Sequence, residues 1–99
     1  MSVYVDQITD YGNLVRGAAR RWGTRWSHMF ADTEEELHVM ASRLGLRRSY
    51  FQPALRSSPH TAHYDIIPAK RRLAIQYGAQ EISGLEWARR HRTREEPRP

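Results

Sequence analysis

Hydrophobic and polar positions alternate in SVYVDQI (2–8), which is β-branched and carries Val3 and Val5 on one face, so the pattern predicts a strand. WSHMFAD (26–32) predicts a second strand, with Trp26, Met29 and Phe30 apolar and His28 and Asp32 as the polar exceptions. In TEEELHVMASRLGL (33–46) the period becomes helical, with Leu37, Met40, Ala41 and Leu44 on one stripe. Thr33 and Glu36 make a capping box, Glu34, Glu35 and Glu36 suit the positive helix start, and Gly45 supplies the stop. AHYDII (62–67) predicts a third short strand, and PAKRRLAIQYG (68–78) a helix opened by Pro68 and closed by Gly78. AQEI (79–82) is a candidate fourth strand, and Ser83 can cap a last helix over 84–92.

The stretches between are less regular. Residues 10–25 hold three glycines and no clean period, which predicts a loop with one helical turn around Leu14 to Arg20. A long irregular segment in a small domain is mobile or functional. Residues 47–60 read as loop, and 93–99 as a charged, proline-bearing disordered tail. The expectation is one small α/β domain over 1–92, with three or four short strands and about three helices. Strand directions are not readable from the pattern.

Composition narrows the chemistry. There is no cysteine, which removes disulfides, thiolate metal sites and a cysteine nucleophile. The N-terminus lacks the pattern of a signal peptide, and no apolar run approaches the roughly 18 residues of a membrane span. A cytoplasmic protein with no membrane partner is expected, and a core this thin suggests a homo-oligomer. The net charge is +5. No acid falls between Tyr11 and Ala31, where Arg16, Arg20, Arg21 and Arg25 lie; between Leu37 and Gln80 the sole acid is Asp65. Long stretches of one sign point to an anionic partner.

Lys70, Arg71 and Arg72 crowd the first turn of the 68–78 helix, where the macrodipole is already positive. Together with the free N–H groups there they would receive a phosphate; otherwise they splay into water, where screening makes the cost small. Asp6, Asp32 and Asp65 each stand at or near the end of a predicted strand. If the strands are neighbours, the three carboxylates gather and hold Mg²⁺ or Mn²⁺; a transition-metal site from His28, His63 and one aspartate is a further arrangement. Aspartate after a strand also caps whatever follows, and Asp32 precedes Thr33. Histidine further suits acid–base work on a phosphate ester at neutral pH. Trp26, Phe30 and Trp87 are expected in the core, leaving Trp22, Tyr50 and Tyr64 as candidates for base stacking.

VYVD, W-S-H-M-x-A-D-T-x-E-E-L-H, R-x-x-x-F, H-Y-D and K-R-x-x-A-x-x-x-G-A-x-E occur in this order. In these blocks the chain resembles the domain of unknown function 4031 family over about residues 2 to 82. The resemblance implies small bacterial and bacteriophage proteins, hence host cytoplasm if phage-encoded, and no named activity. The matching positions are Asp6, His28, Asp32, His38, Arg47, His63, Tyr64, Asp65, Lys70 and Arg71. Motifs built from polar residues look more like a site than a core.

The reading that follows is a phosphate-ester-directed enzyme, a small nuclease or nucleotide phosphodiesterase, with a nucleotide signal as one conceivable substrate. His28 and His63, with Asp65, would carry acid–base catalysis. Arg47, Lys70 and Arg71 would clamp phosphate. Asp6 and Asp32 would orient the histidines or hold a divalent metal. The alternatives are a non-catalytic oligomer that sequesters a nucleotide, and a DNA- or RNA-binding accessory protein.

Overall fold

The computed structural model describes residues 2–56 and 58–95. Its centre is the seven-residue strand that was expected around His28. The strands are β1 (Val3–Val5), β2 (Thr9–Asp10), β3 (Arg25–Ala31), β4 (Tyr64–Ile66) and β5 (Gln80–Glu81); the helices are α1 (Glu34–Arg43), α2 (Pro68–Gln76) and α3 (Gly84–Glu95). β3 pairs antiparallel with β1, β2 and β4, and β5 joins β1 in parallel. The fold is the expected small α/β domain, with a five-stranded mixed sheet rather than three or four strands. The addition is β2, two residues held by pairing to Trp26 and Arg25. Residues 12–14 and 17–22, expected as loop with one turn, form two short 3-10 helices.

One irregularity in the sheet matters for the site. Val5 faces Met29, whereas Thr9 faces Trp26. The chain from β1 to β2 therefore contains one residue more than the facing part of β3, which is a β-bulge over Asp6, Gln7 and Ile8. Bulges re-aim a side chain and recur beside active sites.

The helix ends follow their sequence signals. Thr33 Oγ1 accepts from Glu36 N–H at 3.2 Å and bonds the Glu36 carboxylate at 2.9 Å, which caps α1. Gly45, at φ +78°, takes the left-handed turn that closes it, with Leu46 N–H donating to Ala41 O and Gly45 N–H to Ser42 O. Gly78, at φ +108°, ends α2 in the same way through Ala79 and Ala74. α3 continues to Glu95, through three residues of the segment expected to be a tail; residues 96–99 lie outside the described residues. Among the described residues no helix is long and apolar enough to cross a membrane.

Period-two alternation gives the sheet two different faces. Val3, Val5, Met29, Tyr64 and Ile66 pack with Leu37 and Met40 of α1, with Leu44 at its C-cap and with Ala74 of α2 in the main core. Each fully buried large side chain there contributes about 1.5–3 kcal/mol. Tyr4 and Phe30 point the other way and pack with Ile82 and Trp87, the anchor of α3. Trp87 stacks on Phe30 with centroids 5.0 Å apart, and its indole N–H donates to His60 O at 3.0 Å. Phe30 and Trp87 are buried as expected, Trp26 only partly, and Tyr64 is a core residue rather than a stacking platform.

Candidate functional site

On β3 the alternation that sends Met29 into the main core sends His28 to the α3 face, beside Phe30. The register sets His28 opposite Asp65 on β4, and Asp65 shares its face with His63 two residues earlier. His63 is pinned in turn by paired backbone bonds with Gln52. The bulge brings Asp6 in from the other side. Three strands thus deliver four polar side chains to one spot.

Asp6 is buried and grips His28 twice. Its Oδ1 accepts from the His28 backbone N–H at 2.6 Å, and its Oδ2 lies 2.7 Å from Nδ1. A carboxylate can only accept here, so Nδ1 carries a proton and Nε2 is the nitrogen left facing the cluster. His63 is set the same way by a backbone carbonyl, with Nδ1 2.7 Å from Thr61 O. Both Nε2 atoms then face one oxygen, Asp65 Oδ1, at 3.7 Å from His28 and 3.4 Å from His63. Gln52 Nε2 donates to the other oxygen, Oδ2, at 2.6 Å. The three half-buried residues His28, His63 and Asp65 each offer a ligand atom, all within 4.8 Å of one another.

Charge follows from this geometry. Burial works against a protonated His63, but the Asp65 hydrogen bond, the Thr61 carbonyl and the charges of Asp65 and Asp6 outweigh it, so its pKa is raised. Burial likewise works against ionised Asp65, and the bonds from His63 and Gln52 with the charges of both histidines outweigh it, so its pKa is lowered. Tyr11, at the start of the β2–β3 connection, has its phenol pushed up by burial first and then by the charges of Asp6 and Asp65. A hydrogen bond with the Thr9 side chain works the other way and is outweighed.

The expected site residues divide accordingly. His28, His63, Asp65 and Asp6 come together. Asp32 does not, because β3 runs antiparallel to β1 and carries it to the opposite end of the ladder. There Asp32 Oδ2 accepts from Ser2 N–H at 3.0 Å and from the Tyr4 hydroxyl at 3.4 Å. The three-aspartate arrangement is not formed. Lys70 and Arg71 also have other work. Lys70 Nζ donates to Leu44 O at 2.7 Å, at the carbonyl-rich end of α1. Arg71 Nε donates to Asp6 O at 2.8 Å, and Nη2 reaches Glu81 at 3.0 Å. Arg71 thus supports the backbone of a site residue, and neither cation converges on a shared anion. Arg47 is exposed in the turn after α1, its carbonyl bonded to Tyr50 N–H. His38 bonds the Tyr64 hydroxyl at 2.8 Å and Glu34 at 3.3 Å, stitching α1 to β4.

Two participants carry no signal in the sequence: Gln52 and the Thr61 carbonyl. No local pattern marks either, because both act through loop conformation.

Chemically, two imidazole nitrogens and one carboxylate oxygen are a donor set for a divalent first-row transition ion. Ligands about 2.0–2.1 Å from such an ion at tetrahedral angles lie about 3.4 Å apart. The Nε2–Oδ1 separations of 3.4 and 3.7 Å are near that value. Each histidine also has its other nitrogen held by a carboxylate or a carbonyl, the outer bonding that metal-binding histidines use.

Comparisons with known proteins bear on family alone. Neither the search of curated proteins nor the search of solved structures found a match. A family model described as "Protein of unknown function (DUF4031)" matches residues 3–94. That match takes in α3, beyond the point near residue 82 where the motif resemblance stopped. The chain belongs to the DUF4031 family.

Proposed function

We propose that this protein is a divalent-metal-dependent hydrolase of phosphate esters, of nuclease or nucleotide phosphodiesterase type. The observation that carries the reading is the convergence of His28, His63 and Asp65, whose ligand atoms lie within 4.8 Å of one another, with Asp65 Oδ1 3.7 Å and 3.4 Å from the two Nε2 atoms. The phosphate class is supported by the net charge of +5 and the acid-free hairpin connection that leads out of the site. An ion bound here would supply a hydroxide nucleophile at neutral pH and polarise a phosphoryl oxygen. The chain's own residues do the rest. Asp6 and the Thr61 carbonyl hold both imidazoles with Nε2 inward, and Gln52 fixes the Asp65 carboxylate.

A metal-free reading has one observation in its favour, the raised pKa of His63, which suits a general acid. Against it, both Nε2 atoms point at the same carboxylate oxygen rather than flanking a phosphate. One experiment separates the two. Purified protein is incubated with bis(p-nitrophenyl) phosphate and a panel of linear and cyclic nucleotides, first in EDTA and then with Mn²⁺ or Zn²⁺ restored. The expected result is turnover that EDTA removes and metal restores. Activity that survives EDTA selects the acid–base reading, and no hydrolysis with any metal overturns the proposal.

A further inference from the structure

The hairpin formed by β2, the 3-10 turns and the start of β3 has no role in the core. Its two legs leave directly from the site. Thr9 follows Asp6 by three residues on one leg, and Arg25 precedes His28 by three on the other. At about 3.3 Å per residue, Arg25 stands about 10 Å from His28 along the strand. Beyond it the segment from Gly12 to Thr24 has no acid. Arg16 and Arg21 are exposed there, and Trp22 is 55% exposed. The Arg21 guanidinium lies 5.9 Å from the Trp22 ring centroid.

The arm is shaped by its own bonds. Asp10 Oδ1 accepts from Gly12 N–H at 2.9 Å and from the Thr24 hydroxyl at 2.8 Å. Arg20 Nη1 donates to Val15 O at 3.2 Å. The acid nearest the arm's base and one of its cations therefore serve its structure, while Arg16, Arg21, Arg25 and Trp22 face solvent. An exposed indole among arginines, in a segment without acids, suits a partner that is both anionic and built of flat rings. It is a good platform for an unpaired base, with cations spaced along a backbone.

We propose that this arm binds single-stranded nucleic acid, with Arg16, Arg21 and Arg25 on its phosphates and Trp22 against a base, and that it feeds the strand to the His28–His63–Asp65 cluster. The feeding step rests on the phosphodiesterase reading; the binding step does not. It assigns the substrate class as a polynucleotide strand, because a mononucleotide seated at the cluster would not reach the outer half of the arm.

The test is fluorescence anisotropy of a labelled oligothymidylate, in EDTA so that binding is read without turnover. Four proteins are compared: wild type, Arg16→Gln/Arg21→Gln, Trp22→Ala, and Arg72→Gln, an exposed cation of α2 outside the arm. Trp22→Ala should weaken binding about 5- to 150-fold. The double variant should lower the slope of log affinity against log salt by about 1.4, or about 0.7 per phosphate contact. Arg72→Gln should match wild type. Equal loss in Arg72→Gln, wild-type affinity in both arm variants, or preference for duplex DNA or anionic vesicles would overturn the assignment. Strand binding through the arm by a protein that hydrolyses nothing would remove the hydrolase reading and leave the arm standing.

Discussion

Two histidine groups lie on opposite faces of the same sheet, and they are built differently. On the α1 and α2 face, His38 gives Nδ1 to the Tyr64 hydroxyl and Nε2 to Glu34, with Phe51 against its ring. Both nitrogens are closed by partners. On the α3 face, Nδ1 of His28 and Nδ1 of His63 are held by Asp6 and the Thr61 carbonyl, and both Nε2 atoms meet at one oxygen of Asp65. The first group is a structural stitch. The second is a set of donors aimed at a common point. What a histidine can do is decided by where its second nitrogen faces, and here the alternation of β3 and β4 decides it. In H-Y-D the histidine and aspartate share one face, and the tyrosine between them enters the core.

The sharpest way to break this contrast is at Asp6. In Asp6→Asn the amide nitrogen would face His28 Nδ1 as a donor. The ring would answer by moving its proton to Nε2, away from Asp6 and into the cluster. Metal affinity should fall about 10- to 100-fold, with turnover falling alongside, as calorimetry and the chromogenic assay would measure. Unchanged affinity would mean that His28 is no ligand.

His38→Ala should do the reverse. It leaves the buried Tyr64 hydroxyl without its partner, at a cost of about 1–3 kcal/mol, read as a lower denaturation midpoint. Metal affinity should stay at the wild-type value, and a parallel loss would dissolve the distinction between the two groups.

Lys70→Met is a smaller perturbation. It removes a donor from the Leu44 carbonyl and should cost about 1 kcal/mol. KM for a phosphate ester should not move; a large rise would restore the phosphate clamp that the sequence suggested.

The smallest effect is on pH dependence in chelator-treated protein. The raised pKa of His63 gives stability that is full below its unfolded value, 6.5, and is lost as pH rises through the folded value above it. The lowered pKa of Asp65 gives stability present above 3.8 and lost as pH falls through the folded value below it. The denaturation midpoints of wild type and Asp65→Asn should therefore differ most between these limits and draw closer above neutrality, where His63 loses its proton while the Gln52 bond to Asp65 remains. A gap independent of pH would contradict the pairing.

Local signals carried much of this fold. The Thr33 cap, the Leu37–Leu44 stripe and the closing glycines of α1 and α2 are short-range chemistry, and the sequence predicted those two helices on that basis. The strands around Val5, His28 and Tyr64 were legible from apolar and β-branched runs. Pairing was not, because register and direction are set by contacts between distant segments. That is why the local pattern groups Asp32 with Asp6 and Asp65, and why β2, two residues long, leaves no signal in the sequence. Lys70 and Arg71 show the same limit. Read locally, cations at a helix start call for an anion. Their partners are the carbonyls of Leu44 and Asp6, 26 and 65 residues away. At the site, the histidines and aspartates were visible as residue types, but Gln52 and the Thr61 carbonyl became partners only through loop geometry.

The central claim is that His28, His63 and Asp65 together hold one divalent transition ion. Its most direct test is calorimetric titration of chelator-stripped protein with Zn²⁺ or Mn²⁺, for wild type and His63→Ala side by side. One ion per wild-type chain, with binding lost in His63→Ala while the variant melts as a folded domain, is the expected result. No binding to wild type, or equal binding by the variant, would contradict the account.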